Sequence, residues 1–88
     1  MNIVYTTQFK KDFKKIVKQG KDISKLETLI DLLIEGESLP QKYKDHSLIG
    51  KWKNHRDCHI EPDWILIYRI TEDSLFLERT GSHSQLFK

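Results

Sequence analysis

The stretch RDCHIEPDWILIYRI, residues 56–70, decides the fold. Glu61-Pro62-Asp63 reads as a turn, because proline cannot donate to a strand ladder and aspartate favours turns. Trp64 to Ile70 follows as the most apolar run of the chain and reads as a central strand covered on both faces. Before the turn, Trp52 to Ile60 reads as a strand of mixed polarity. Outward toward the C-terminus, Thr71 to Ser74 is a polar turn and Leu75 to Thr80 another strand. Gly81 breaks that strand, and Ser82 to Phe87 is a short tail or a single helical turn.

The first half has a different period. Asn2 to Thr6 reads as a short strand rich in β-branched and aromatic residues. Thr6 or Thr7 can cap the helix that follows. Phe9, Phe13, Ile16 and Val17 recur at helical spacing, and Gly20 ends the helix. Ser24 and Glu27 have the spacing of a capping box for a second helix. Its apolar stripe is Ile23, Leu26, Leu29, Ile30, Leu33 and Ile34, and Gly36 closes it. A polar loop runs from Leu39-Pro40 through His46 to Gly50. The order β-α-α-β-β-β predicts one α+β domain over 1–88: an N-terminal strand and a helix hairpin packed on one face of a small, mainly antiparallel sheet.

Composition narrows the function classes. The chain has 88 residues, enough for one modest core, and its charged fraction of 32% implies a heavily solvated surface. The net charge of +2 hides an uneven distribution. Lys10, Lys11, Lys14, Lys15 and Lys18 crowd the first helix, and Lys42, Lys44, Lys51, Lys53 and Arg56 form a second basic group. Such a surface suits a polyanion or an acidic protein, the plainer reading being a solvated helix face. Cys58 is the one cysteine, so no internal disulfide forms and a reducing compartment is expected. No secretory signal and no apolar run near the roughly 18 residues of a membrane span is present, so a cytoplasmic location is expected.

Against this background one polar set stands out: His46, Asp57, His59, Asp63, Arg79 and His83. Strand periodicity puts Asp57 and His59 on one face and Cys58 and Ile60 on the other. With the helices on the Cys58 face, Asp57 and His59 look onto the open face. Three imidazoles, two carboxylates and a guanidinium can take up, give and stabilise charge near neutral pH. Each also has a plainer reading: a surface histidine, a turn aspartate at Asp63, a structural ion pair for Arg79 with Glu78 or Asp57, a core tryptophan at Trp64. The spacings argue against a metal site, since Cys58 and His59 diverge in a strand and no paired Cys or His motif occurs. No glycine-rich phosphate loop is present. Neither metal nor cofactor is expected.

The segments Tyr43-Lys44-Asp45-His46, Gly50-x-Trp52-Lys53, Arg56-Asp57-Cys58-His59-Ile60-Glu61-Pro62-Asp63-Trp64 and Glu78-Arg79-Thr80-Gly81-Ser82-His83 closely resemble YafQ-type toxins of the RelE/ParE superfamily. The resemblance spans essentially the whole chain. It implies a bacterial type II toxin: a metal-free endoribonuclease that cuts mRNA in the ribosomal A site, restrained by a cognate antitoxin. Carried over by position, the site comprises His46, Asp57, His59, Asp63, Trp64, Arg79, His83 and Phe87.

That chemistry needs a base for the 2′-hydroxyl, an acid for the leaving 5′-oxygen and positive charge at the phosphate. Histidine, with an ordinary pKa of about 6.5, suits both proton roles. His83 is expected as the acid and His46 or His59 as the base, with Asp63 orienting the site or sharing the base role. Arg79 is expected to stabilise the developing charge, and Asp57 to orient His59 or Arg56. Trp64 and Phe87 would stack on bases. Lys53 and Arg56 would contact or support the RNA, and the basic residues of the first helix and of the loop would hold ribosomal RNA by its phosphates. Two other classes remain open: a ParE-like toxin that binds gyrase, and a protein- or DNA-binding module.

Overall fold

Thr6 begins the helical hairpin. Its backbone is extended and its hydroxyl accepts from the Phe9 amide, so the helix α1 (Thr7–Lys18) starts directly after the strand β1 (Asn2–Tyr5). Phe9, Asp12 and Ile16 are the buried residues of α1, and the five lysines 10, 11, 14, 15 and 18 are all exposed. Helix α2 (Ile23–Glu35) is capped by Asp22, whose carboxylate accepts from the Ser24 amide at 3.0 Å. The Ser24–Glu27 capping box expected from spacing is therefore not the one used. Asp22 stands one residue before the helix and reaches the free amide first, while Ser24 lies inside the first turn. Gly36 closes α2 with φ +75°, a left-handed value that glycine adopts without steric penalty.

The computed structural model describes residues 1–87. A short 3-10 turn (Gln41–Tyr43), strand β2 (His46–Ser47) and a second 3-10 turn (Gly50–Trp52) lead to β3 (Arg56–Glu61), β4 (Trp64–Ile70), β5 (Ser74–Gly81) and α3 (His83–Leu86). The sheet order is β1-β5-β4-β3-β2. β1 runs parallel to β5, and the other pairings are antiparallel. This is the expected α+β architecture.

Two expectations shift. The strand expected from Trp52 begins only at Arg56, because residues 50–52 coil into a 3-10 turn and Asn54 takes φ +70°. His46, assigned to a loop, forms an edge strand of two residues opposite Asp57 and Arg56.

The ladder sorts the side chains. Cys58 lies opposite Leu66, and both belong to the main core with Phe9, Ile16, Leu26, Leu29, Leu33, Trp64 and Leu77 under the helices. Asp57 lies opposite Ile67, and His59 opposite Ile65. Ile65 and Ile67 belong to a smaller cluster on the other face, covered by Leu86, Phe87, Leu48 and Trp52. That face is therefore not open along its length. The C-terminal turn and the loop after β2 roof part of it, and Asp57 is 3% exposed beneath them.

Candidate active site

The turn after β3 and the helix α3 meet at Asp63. Its Oδ1 accepts the backbone N–H of His83 at 2.9 Å, fixing the first residue of α3. Ser82 caps that helix through a reciprocal bond pair with Gln85. Gly81 makes the turn feasible: a Cβ there would stand 2.7 Å from the Gln85 Oε1 that closes the cap. His83 is exposed, and its ring packs on Phe87 with centroids 5.1 Å apart.

The other two imidazoles are set by main-chain carbonyls. His59 places Nδ1 3.1 Å from the Pro62 carbonyl. His46 places Nδ1 2.9 Å from the Lys44 carbonyl and 2.9 Å from Oδ1 of Asp57. A carbonyl can only accept, so in both rings Nδ1 carries the proton and Nε2 is left as the basic nitrogen. The His46 proton lines up with the Lys44 carbonyl. Oδ1 of Asp57, for all its closeness to the ring, is buried with no hydrogen-bond donor in line.

Asp57 thus has an unusual environment. Burial raises its carboxyl above the ordinary range, and the charge of Asp45 adds to that. The fields of His46, His59 and His83 pull the other way without cancelling the rise. All three imidazoles named by the sequence therefore converge electrostatically on one buried carboxyl. Its nearest ring is His46. The alternatives of His59 or Arg56 as the residue it orients do not describe the contact seen. Arg56 is instead paired with Asp45 through Nε and Nη2, at 3.1 and 2.9 Å. Asp45 also accepts from the Tyr68 hydroxyl.

Arg79 lies opposite Ile67 in the ladder, but its guanidinium closes on Asp12 of α1, with Nε and Nη2 at 2.8 and 3.1 Å. The expected ion pair exists with a different partner from Glu78 or Asp57. Burial by itself would raise the Asp12 carboxyl. Hydrogen bonds from Arg79, the Thr80 amide and Gln8 outweigh that and hold it below the usual range.

Trp64 is fully buried and donates Nε1–H to the Thr80 hydroxyl at 2.9 Å. A base cannot stack on a ring with no exposed face, so of its two expected parts only support remains. Phe87 is half-buried beside His83, and Lys53 is exposed. Cys58 is inert: burial pushes its thiol far up.

Sequence reasoning missed four positions. Asp12 holds Arg79, and its signal was a lone carboxylate between Phe9 and Ile16 on the apolar stripe. The carbonyls of Lys44 and Pro62 orient two imidazoles, and no side-chain signal marks a carbonyl. His55, outside the expected set, is held by the Lys53 carbonyl and Glu78, with Trp52 edge-on at 5.2 Å. Among the described residues no three His, Cys, Asp or Glu groups are arranged to hold a metal ion. No helix among them is long and apolar enough to cross a membrane.

The sequence and the fold match known proteins. The family described as "Bacterial toxin of type II toxin-antitoxin system, YafQ" matches residues 1–88. The chain is 52% identical over 87 residues to the mRNA interferase toxin YafQ of Escherichia coli K12, covering 98% of this chain and 95% of that protein. It superposes on the crystal structure of YafQ from E. coli BL21(DE3) with a TM-score of 0.95 at 50% identity, covering 99% and 98% of the two chains. It matches a chain of the E. coli DinJ-YafQ complex with a TM-score of 0.92 at 51% identity, covering 99% and 98%.

Proposed function

Because the chain belongs to the YafQ family of bacterial type II toxin–antitoxin toxins, we propose that it cuts mRNA in the ribosomal A site through the histidines gathered around Asp57. It is an endoribonuclease, an mRNA interferase, and its protein partner is a cognate antitoxin, as its kinship to YafQ and to the DinJ-YafQ complex supports.

The observation that carries it is the pair of imidazoles, His46 and His59, whose Nδ1 atoms are held by main-chain carbonyls so that Nε2 is left basic, with the buried Asp57 carboxylate 2.9 Å from the His46 ring. Nε2 of His59 or His46 takes the proton of the 2′-hydroxyl. O2′ attacks the adjacent phosphorus, the bond from phosphorus to O5′ breaks, and His83 gives a proton to O5′. A 2′,3′-cyclic phosphate and a 5′-hydroxyl result, with no change of oxidation state and no need for a metal. Asp63 positions His83 through its backbone bond. Asp57 favours a positive imidazole nearby whenever it is ionised, so it assists proton uptake by the ring at 2.9 Å.

Arg79 keeps Nη1 outside its two bonds to Asp12, and through it can meet a phosphate oxygen from a fixed position. Phe87 offers the accessible aromatic edge beside His83. Lys53 and the exposed lysines of α1 supply phosphate contacts to mRNA and ribosomal RNA.

The test is induction of the chain without antitoxin, with mapping of cellular mRNA 5′ ends. His83→Ala is expected to keep the wild-type circular dichroism spectrum and to cut roughly 10²–10⁴-fold more slowly. An unchanged cleavage rate would remove His83 from the mechanism. Growth arrest with DNA damage and intact mRNA would favour gyrase binding instead.

A further inference from the structure

Beyond the histidine cluster, β3 has an uncovered margin. β2 pairs with Arg56 and Asp57, so from Cys58 to Glu61 the outer edge of β3 carries no strand among the described residues. A groove of about 510 Å³ follows this margin between α2, the first 3-10 turn and the turn at Pro62. His59 stands in its wall.

Charge in the groove is one-sided. Lys25, Lys42 and Lys44 line it, against the single carboxylate Glu61. Glu61 is already shared by Lys25 at 2.9 Å and Lys21 at 3.5 Å. Hydrogen bonding to Lys25 is the main reason its carboxyl sits below the ordinary range. Lys42 and Lys44 have no carboxylate partner among the described residues. The one aromatic in the wall, Tyr43, is 8% exposed and presents no stacking surface for a base.

The groove is also mechanically tied to the imidazoles. Lys44 supplies the carbonyl beside His46, and Pro62 supplies the carbonyl beside His59. Both residues line the groove. Lys44 does so from a left-handed backbone, φ +49°, a conformation that a lysine leaves unless its surroundings hold it.

We propose that this groove is the track for the RNA backbone next to the cut, with Lys42 and Lys44 each holding a phosphate of a single-stranded segment that passes His59. This rests on the ribonuclease reading and adds a substrate subsite to it. The contacts go to phosphate alone, so the track is indifferent to base identity. An extended acidic peptide added along the β3 edge is the rival occupant; Lys42, its ammonium over the Tyr43 ring, and Lys44 share the groove with a candidate catalytic ring, which favours RNA.

The experiment uses the full chain carrying His83→Gln, so that bound RNA is not cut, and a fluorescent single-stranded RNA read by anisotropy over a salt series. Lys42→Ala with Lys44→Asn, asparagine being at ease in the left-handed conformation, is expected to weaken binding about 10-fold. The slope of log affinity against log salt should fall by about 1.4, two phosphates at roughly 0.7 each for a single strand. Lys42→Arg with Lys44→Arg should restore both. Unchanged affinity and slope, in a variant whose thermal melt shows it folded, would overturn the track while leaving the ribonuclease intact. Loss of affinity for the antitoxin with RNA binding kept would overturn it in favour of the peptide. Intact mRNA after induction of the wild-type chain would remove the ribonuclease reading itself, and with it the groove as substrate track.

Discussion

Asp12 and Asp57 are equally hidden, each 3% exposed, yet they sit in opposite kinds of environment. Asp12, on the helix side, collects Arg79 through two nitrogens, the Thr80 amide and the Gln8 amide, and its carboxyl is held low. Asp57, on the other face, has an oxygen with no donor in line, and its carboxyl is pushed up. Burial works against the charge in both. Hydrogen bonds outweigh burial at Asp12, whereas at Asp57 the fields of the imidazoles alone do not. The satisfied carboxylate knits α1 to β5. The starved one leaves a charge that neighbouring imidazoles can answer when they gain a proton, which is what an acid–base site requires.

The contrast can be broken most severely at Asp12. Asp12→Ala strands the half-buried Arg79 and the Thr80 amide, and a loss of about 3 kcal/mol in unfolding free energy is expected from urea titration. A loss under about 1 kcal/mol would mean the pair is no more than a surface bridge.

Asp57→Asn should act the other way. Above the ordinary carboxylate range the variant is expected to melt at or above the wild-type temperature, because an uncompensated buried charge is gone. Cleavage should fall about 10-fold as the imidazoles lose their counter-charge. A lower melting temperature at neutral pH would show that Asp57 is structural after all.

The pH dependence sharpens the same contrast. The advantage of the wild type over Asp12→Asn is expected in full above about pH 4, the ordinary aspartate value. It is lost as pH falls through the depressed folded value. For Asp57 the folded value is raised, so the wild type loses ground to Asp57→Asn as pH climbs from about 4 through that value. Urea titrations should therefore show the wild-type advantage rising with pH below about pH 4 for the Asp12 pair and falling with pH above it for the Asp57 pair.

The smallest effect is expected at Trp64. Trp64→Phe removes one donor to Thr80 and should cost about 1 kcal/mol. A change in RNA affinity with stability kept would return Trp64 to the list of base contacts.

Much of this was legible in the residues. The Pro62 turn, the apolar run of β4 and the helical stripes of α1 and α2 each report a local period, and local periods survive folding wherever one face is buried. The histidine set was legible because imidazoles at strand ends are chemically conspicuous. Four features were not: the Asp22 cap, the 3-10 turn at 50–52, the edge strand at His46 and the partner of Arg79. The first depends on a one-residue choice between neighbouring capping residues. The next two depend on where a β-edge finds hydrogen bonds, and the last joins positions 67 residues apart.

The sequence by itself determined the element order, which strand lies at the centre and where the basic charge lies, since these follow from composition and spacing along one chain. The tertiary structure alone decided which buried carboxyl is satisfied and which is starved. It decided that Trp64 is core, that carbonyls of Lys44 and Pro62 set two imidazoles, and that a basic groove opens beside His59. Those outcomes depend on which donors arrive in space around a group, and distance along the chain carries no such information.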